Sequence, residues 1–415
     1  MNKYFIGSTQ RGALSYKCGE KIVFELTLTD GASAVPCHAF RWHIEAEDAA
    51  SDGLCEGTEG ECDGSLGACV IETSISRPGF VHLTVTATGD DGNPLSDCDI
   101  FEGGAGAEVE TLLPILPEPE DFDEFWRRSL ALLDGISPEV IEMNEVKSIA
   151  PGYRQYDVRV ACGDPEKLGG TPKNRFGAPV SGYLTVPEGA ESGKKYPIQL
   201  YFMGYSYTGA LPMAAPDAIT FFPNPHGIKN GLAQEEYDRE QNATVGAFGF
   251  DTDENKTPDS VYFKWMLLRG VQSLRFAKTL GGWDGKNIIV SGGSMGAFQS
   301  CGVAMLCPEV TALNIDIPWL CDLGGITANR LRGWRPEITA GGELQRGICY
   351  YDTASLCARA SCPVKIVAGL GDYVCPPSGV MSLYNRIKAP KTITWQQNRT
   401  HPYVPPVVTT YTLRG

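Results

Sequence analysis

A chain of 415 residues exceeds one ordinary domain, and its 42% hydrophobic and 20% charged residues are those of a globular protein. It has no uninterrupted apolar run of about 18 residues, which argues against a transmembrane helix. The net charge of −15 sits mostly at the N-terminus, with 6 Lys/Arg against 19 Asp/Glu in residues 1–110, a balance that argues against nucleic acid or an anionic membrane surface as partners.

The first residues, Met-Asn-Lys-Tyr-Phe-Ile-Gly-Ser, lack the apolar core of a signal peptide. The 14 cysteines suit either disulfides in an exported protein or small buried thiols in a reducing cell. Single cysteines on apolar segments, such as Cys301, Cys307 and Cys357, favour the second reading. The expectation is a cytoplasmic protein, unless a presequence has been removed. Cys55, Cys62 and Cys69 are too widely spaced for a zinc knuckle. The acid run from Glu45 to Asp63 reads as a solvated loop, without the regular ligand spacing of a calcium site.

The first hundred residues alternate with period two. Ile22, Phe24, Leu26 and Leu28 share a face, as do Phe40, Trp42 and Ile44, and then Val81, Leu83, Val85 and Ala87. Asp30-Gly31 and Asp91-Gly92 supply turns. Short alternating strands predict a small all-β, immunoglobulin-like sandwich, with Trp42 between its sheets. It carries no catalytic constellation and reads as a spacer or oligomer contact. Glycine and small residues dominate Phe101–Ala107, and proline Leu113–Pro119, which together read as a linker. The expected division is 1–106 sandwich, 107–119 linker and 120–415 catalytic domain.

Behind Asp121, a candidate N-cap, Phe122, Phe125, Trp126, Leu130 and Leu133 recur at helical spacing. Strands and helices then alternate. Strands are predicted at Tyr156–Ala161, Val180–Val186, Tyr196–Phe202, Ala218–Phe222, Asn287–Val290, Ala312–Ile317, Pro363–Leu370 and Thr392–Gln396. Phe263, Leu267, Val271 and Leu274 form one apolar helical stripe. The pattern predicts an α/β fold: a mostly parallel sheet flanked by helices.

The most informative stretch is Asn287-Ile-Ile-Val-Ser-Gly-Gly-Ser-Met-Gly-Ala-Phe298. A buried strand runs into a Gly-x-Ser-x-Gly turn and then a helix, the arrangement of a nucleophile elbow with Ser294 at its tip. A serine hydroxyl needs a base, usually a histidine held by a carboxylate. His38, His43 and His82 fall in the sandwich, and His226, before Gly227, reads as structural. His401, after the last predicted strand, is the candidate base. Asp372, after the preceding strand, is the candidate acid, with Asp316 as its substitute. The oxyanion needs two backbone N–H groups, predicted from Met295 and Tyr205. A neutral His401 is required, so activity is expected to fall as acid protonates it.

With these residues in hand, the chain resembles the acetyl xylan esterase and cephalosporin-C deacetylase group, carbohydrate esterase family seven, an α/β-hydrolase family. The resemblance runs over about residues 114–405 and is carried by Pro119-Glu-Asp-Phe-Asp-Glu-Phe-Trp126, Gly204-Tyr205, Ser291-Gly-Gly-Ser-Met-Gly296, Ile317-Pro-Trp-Leu-Cys-Asp322 and Gly369-Leu-Gly-Asp-Tyr-Val-Cys-Pro-Pro-Ser378. It implies a metal- and cofactor-independent serine esterase that removes acetyl groups from small O-acetylated sugars, commonly xylose oligomers. It also implies an intracellular homo-oligomer. Ser294 would be nucleophile, His401 base, Asp372 its orienting acid, and Tyr205 and Met295 the oxyanion donors.

The chain departs from the family at Met295, where glutamine is usual, at Met203, where histidine is usual, at Ala297-Phe298, at Pro402, and in its added sandwich. Two other functions share these residues: a general short-chain esterase or peptidase-like hydrolase, and a catalytically silent carbohydrate-binding scaffold.

Overall fold

The computed structural model describes residues 3–47, 55–56 and 58–415. At the N-terminus two four-stranded antiparallel sheets face one another. One runs Tyr4–Thr9, Ile22–Thr29, Ala68–Ile75, Cys55–Glu56; the other Glu59–Asp63, Ala39–Ala46, Gly79–Thr88, Phe101–Ala107. The residues expected to face inward do so: Phe24, Leu28, Leu83 and Val85 are fully buried. The sheets meet through Phe5, whose ring lies 5.7 Å from Phe40 and 6.2 Å from Phe101.

Three expectations for this region change. Trp42 packs against the core on the face it shares with Phe40 and Ile44, but at its margin: it is only partly buried and lies across Gly60, its register partner on the neighbouring strand. Part of the acid run, Glu59–Asp63, is a strand rather than a loop, with its carboxylates on the exposed side; most of the run before it lies outside the described residues. Phe101–Ala107 is not linker but an edge strand paired with Gly79–Thr88. Glycine hides a strand from pattern reading because it has no side chain to alternate.

The larger part is built on a ten-stranded sheet. Its order is Thr410–Arg414, Lys391–Gln396, Val364–Gly369, Ala312–Asp316, Trp283–Gly293, Tyr196–Phe202, Ile219–Pro223, Val180–Pro187, Tyr153–Val160, Val140–Val146. The six strands from Lys391–Gln396 to Ile219–Pro223 are parallel, and antiparallel strands finish both ends. All eight predicted strands are present. Val140–Val146 escaped the sequence reading because it is an edge strand with nearly every side chain exposed, so no apolar face alternates. Thr410–Arg414 is an equally exposed edge.

The helix Met295–Leu306 packs on the central strands and against the helix Phe263–Ala277. The latter is buried on nearly all sides rather than along one stripe, and even Lys264, Arg269 and Gln272 are enclosed. Buried polar groups require partners. Arg269 donates to the carbonyls of Pro225 and Arg175, and Gln272 to that of Ala161. Asp121 does stand at the N-cap of Phe122–Ala131, but its carboxylate accepts from the Tyr350 hydroxyl instead of capping the helix. The main hydrophobic core runs through both parts of the chain, and Phe80 of the sandwich meets Trp395 of the large sheet at 5.5 Å. Among the described residues, every cysteine whose side chain is placed is a free thiol. No helix among them is long and apolar enough to cross a membrane.

Candidate active site

The strand Trp283–Gly293 ends beneath the site, and the helix Met295–Leu306 starts one residue later. Ser294 alone makes the reversal, at φ 55° and ψ −121°. A non-glycine residue there costs on the order of 1–3 kcal/mol, which the surroundings must offset. Its N–H donates to the Asp316 carbonyl at 2.9 Å, and its own carbonyl accepts from Ala297 at 3.0 Å. The turn is tight because helix and neighbouring strand touch: a Cβ on Gly296 would run into the Phe202 carbonyl.

His401 Nε2 lies 3.1 Å from Ser294 Oγ, and its Nδ1 lies 3.0 Å from Asp372 Oδ2. The second Asp372 oxygen accepts from the N–H groups of Val374 and Cys375, at 2.9 and 2.8 Å. With Asp372 only 1% exposed, these bonds fix its carboxylate and leave one oxygen for the imidazole. That oxygen selects the tautomer with hydrogen on Nδ1 and a lone pair on Nε2 toward the serine. The His401-Pro402 loop is closed by a bond from Thr400 N–H to the Tyr403 carbonyl at 3.1 Å. Proline after the histidine is thus part of a tight turn. Asp316, the substitute acid, is otherwise engaged: its carboxylate takes Arg399 Nη2 at 2.5 Å.

The loop after Tyr196–Phe202 passes over the nucleophile, the Cβ position of Gly204 lying 3.9 Å from Ser294 Cβ. Among the described residues, the backbone N–H groups of Tyr205 and Met295 have no acceptor. Unpaired N–H groups on the residue after the serine and on the loop beside it are the kind of donor a developing oxyanion needs. The Met295 side chain is fully buried, and Met203 packs with Ala210 and Phe222. Both methionines are therefore packed among apolar neighbours, where the family has polar side chains.

Two residues with no sequence signal of their own hold this loop. Gln299, 1% exposed, donates to the carbonyls of Met203 and Met295, at 3.1 and 3.3 Å, tying the loop to the elbow. His226 lies between Ser206 and Tyr262, each 2.8 Å from a ring nitrogen. Burial pushes its pKa down to about 3, so the ring is neutral, donating to the Ser206 carbonyl and accepting from the Tyr262 hydroxyl. The Tyr205 ring stacks on Phe248 at 4.0 Å, with Trp334 edge-on at 4.5 Å.

Asp372, Cys375 and His401 also bring one potential metal-ligand atom each within 4.8 Å. Burial, then the neighbouring Asp372 charge, pushes the Cys375 thiol well above its ordinary value. A protonated thiol is a poor ligand, and the facing atoms of the acid and the imidazole already bond each other. The donor set suits a proton relay better than a metal. A cavity of about 470 Å³, lined by Leu116, Pro119, Arg346 and Tyr350 among others, includes none of these residues.

A family model described as acetyl xylan esterase (AXE1) matches residues 106–414. The chain is 26% identical over 392 residues to the acetyl esterase Axe7A of Xylanibacter ruminicola, covering 91% of this chain and 82% of that one. Its fold is similar to the acetyl xylan esterase from Paenibacillus sp. R4 (TM-score 0.56, 20% identity, 72% of this chain and 94% of the other). It is also similar to acetyl xylan esterase 1 from Thermoanaerobacterium sp. JW/SL YS485 (TM-score 0.55, 22% identity, the same coverage).

Proposed function

The chain belongs to the acetyl xylan esterase family, a family of carboxylic ester hydrolases, and on that premise we propose that it deacetylates O-acetylated sugars, such as acetylated xylo-oligosaccharides, through an acetyl-enzyme. The observation that carries this reading is the continuous relay from Ser294 through His401 to Asp372, with both bonds at 3.0–3.1 Å. His401 Nε2 takes the Ser294 proton as Oγ attacks the acetyl carbonyl. The oxyanion rests on the N–H groups of Tyr205 and Met295. His401 returns its proton to the sugar oxygen as the C–O bond breaks. Water then attacks the acetyl-serine, with His401 again as base, and acetate leaves. Asp372 stays ionised throughout and balances the imidazolium.

A sugar fits the surroundings. Trp334 is 44% exposed and stands against Tyr205, so part of its indole is open to solvent beside the oxyanion loop. Such a ring offers apolar area with fixed geometry against which a pyranose can pack. In this reading the groups that touch substrate all lie in residues 120–415. A general short-chain esterase keeps the same chemistry but makes no use of that indole. The silent scaffold is the less supported alternative, because nothing in the relay is broken.

The test is acetate release from acetylated xylo-oligosaccharides by the wild-type chain and Ser294→Ala. Release that falls by about 10⁴-fold or more in the variant is the expected result. No release by the wild type, with serine-directed fluorophosphonate labelling intact, would keep the relay and reject the sugar.

A further inference from the structure

We infer that the N-terminal sandwich is part of the catalytic apparatus: its edge strand Phe101–Ala107 clamps together the two loops that carry Asp372 and His401. The inference rests on the triad reading above. It goes beyond the spacer or oligomer contact expected from the sequence.

One side of Phe101–Ala107 pairs with Gly79–Thr88. On the other side Gly106 N–H donates to the Ala13 carbonyl at 2.7 Å, while the backbone groups of Glu102 and Gly104, which an edge strand leaves open, are taken by the base loop. Gly104 N–H donates to Gln397 Oε1 at 2.8 Å, and the Gly104 carbonyl accepts from Gln397 Nε2 at 2.9 Å. The side-chain amide of Gln397 thus bonds the strand as a neighbouring strand would. Glu102 N–H donates to Asn398 Oδ1 at 2.9 Å, while Asn398 Nδ2 reaches the Phe5 carbonyl of the opposite sheet at 3.3 Å. Gln397 and Asn398 are 1% and 2% exposed and lie between the last parallel strand and His401. Beyond the histidine, the Tyr403 hydroxyl donates to Asp99 at 2.7 Å.

The acid loop meets the same strand. Gly371 lies so close that a Cβ there would run into the Glu102 carbonyl, and a Cβ on Gly104 would come within 2.9 Å of the Leu370 carbonyl. Tyr373, next to Asp372, stands edge-on against His82 with ring centres 3.6 Å apart. Ser378 N–H donates to the Glu47 carboxylate at 2.9 Å. The residues before and after Asp372, and before and after His401, are therefore all tied to the sandwich. Gln397 and Tyr403 are positioning residues in this account. They touch no substrate and act through the placing of His401.

The test uses the full chain, a small activated acetyl ester and two readouts. One is kcat against KM; the other is the low-field proton resonance of the His401–Asp372 hydrogen bond. Gln397→Leu is expected to lower kcat about tenfold or more, since loop errors near 1 Å cost up to about 10²-fold. KM should stay within about twofold and the resonance should shift or broaden. Tyr403→Phe, which removes only a hydroxyl, should move both readouts the same way by a smaller factor and keeps the test alive if Gln397→Leu does not fold. Tyr411→Phe is the control: Thr9 bonds the Tyr411 hydroxyl at 3.0 Å, joining the same two parts away from these loops. It should lower the thermal midpoint and move neither readout. Equal kcat losses in Tyr411→Phe and Gln397→Leu would overturn the clamp. So would unchanged kcat in the two loop variants while Asp372→Asn is inactive, an outcome that leaves the triad standing. Full activity in Asp372→Asn would remove the triad and the inference with it.

Discussion

His401 and Asp372 divide their work by geometry. The acid has four acceptor directions, and the N–H groups of Val374 and Cys375 occupy one oxygen, so only one oxygen faces the ring. Asp372→Asn keeps the shape but favours the wrong imidazole tautomer, so kcat on an activated acetyl ester should fall about 10³–10⁴-fold with KM little changed. Asp316→Asn should cost less than about tenfold, because that side chain serves Arg399 rather than the ring. Comparable losses in the two variants would reverse the assignment of the acid. Gln299 offers a second test at this scale. Gln299→Leu removes the side-chain donor to two buried carbonyls, leaving that of Met203 without it, so stability to denaturant should fall by about 1–3 kcal/mol. As those carbonyls belong to the oxyanion loop and the elbow, kcat should drop with it. The serine, acid and base were readable because each follows a strand of recognisable pattern. Gln299 was not, since a glutamine on an apolar helix carries no mark of its partners.

At the scale of elements, the elbow depends on contact between the helix Met295–Leu306 and the end of Tyr196–Phe202. Gly296→Ala would drive a methyl into the Phe202 carbonyl, which is backbone and cannot swing away. A loss of about 3 kcal/mol or more in thermal or denaturant unfolding is expected, together with loss of fluorophosphonate labelling. An alanine variant of wild-type stability would mean that the helix can slide on the strand. Central parallel strands were legible from short continuous apolar runs, as in Ile288, Ile289 and Val290. The glycine strand Phe101–Ala107 and the exposed edge Val140–Val146 were not. The first has no side chains to alternate, and the second has no buried face to mark.

For the whole molecule, two buried histidines set a limit on acid tolerance. Burial pushes His82 and His226 from the ordinary 6.5 down to about 3. Above pH 6.5 both are neutral in the folded and unfolded chain, and their contribution to stability is complete. As pH falls below 6.5 the unfolded chain takes up protons that the folded chain refuses until about 3. Each histidine then removes up to about 1.4 kcal/mol of stability per pH unit. His82 has no hydrogen-bond partner among the described residues, so His82→Leu loses none. Its unfolding free energy, measured from pH 7 to pH 4, should decline less than that of the wild type. An identical pH slope would mean that the ring is protonated where it sits. The amino-acid sequence by itself marked the alternation of strands and helices, the turn at Ser294, and a candidate serine, acid and base in chain order, because these depend on local periodicity and turn chemistry. Only the tertiary structure decided which carboxylate faces His401, that Met203 and Met295 are buried, and that the sandwich lies against the loops of the site. Those are contacts between residues as far apart as Gly104 and Gln397, where a side-chain amide completes an edge strand that no local pattern could pair.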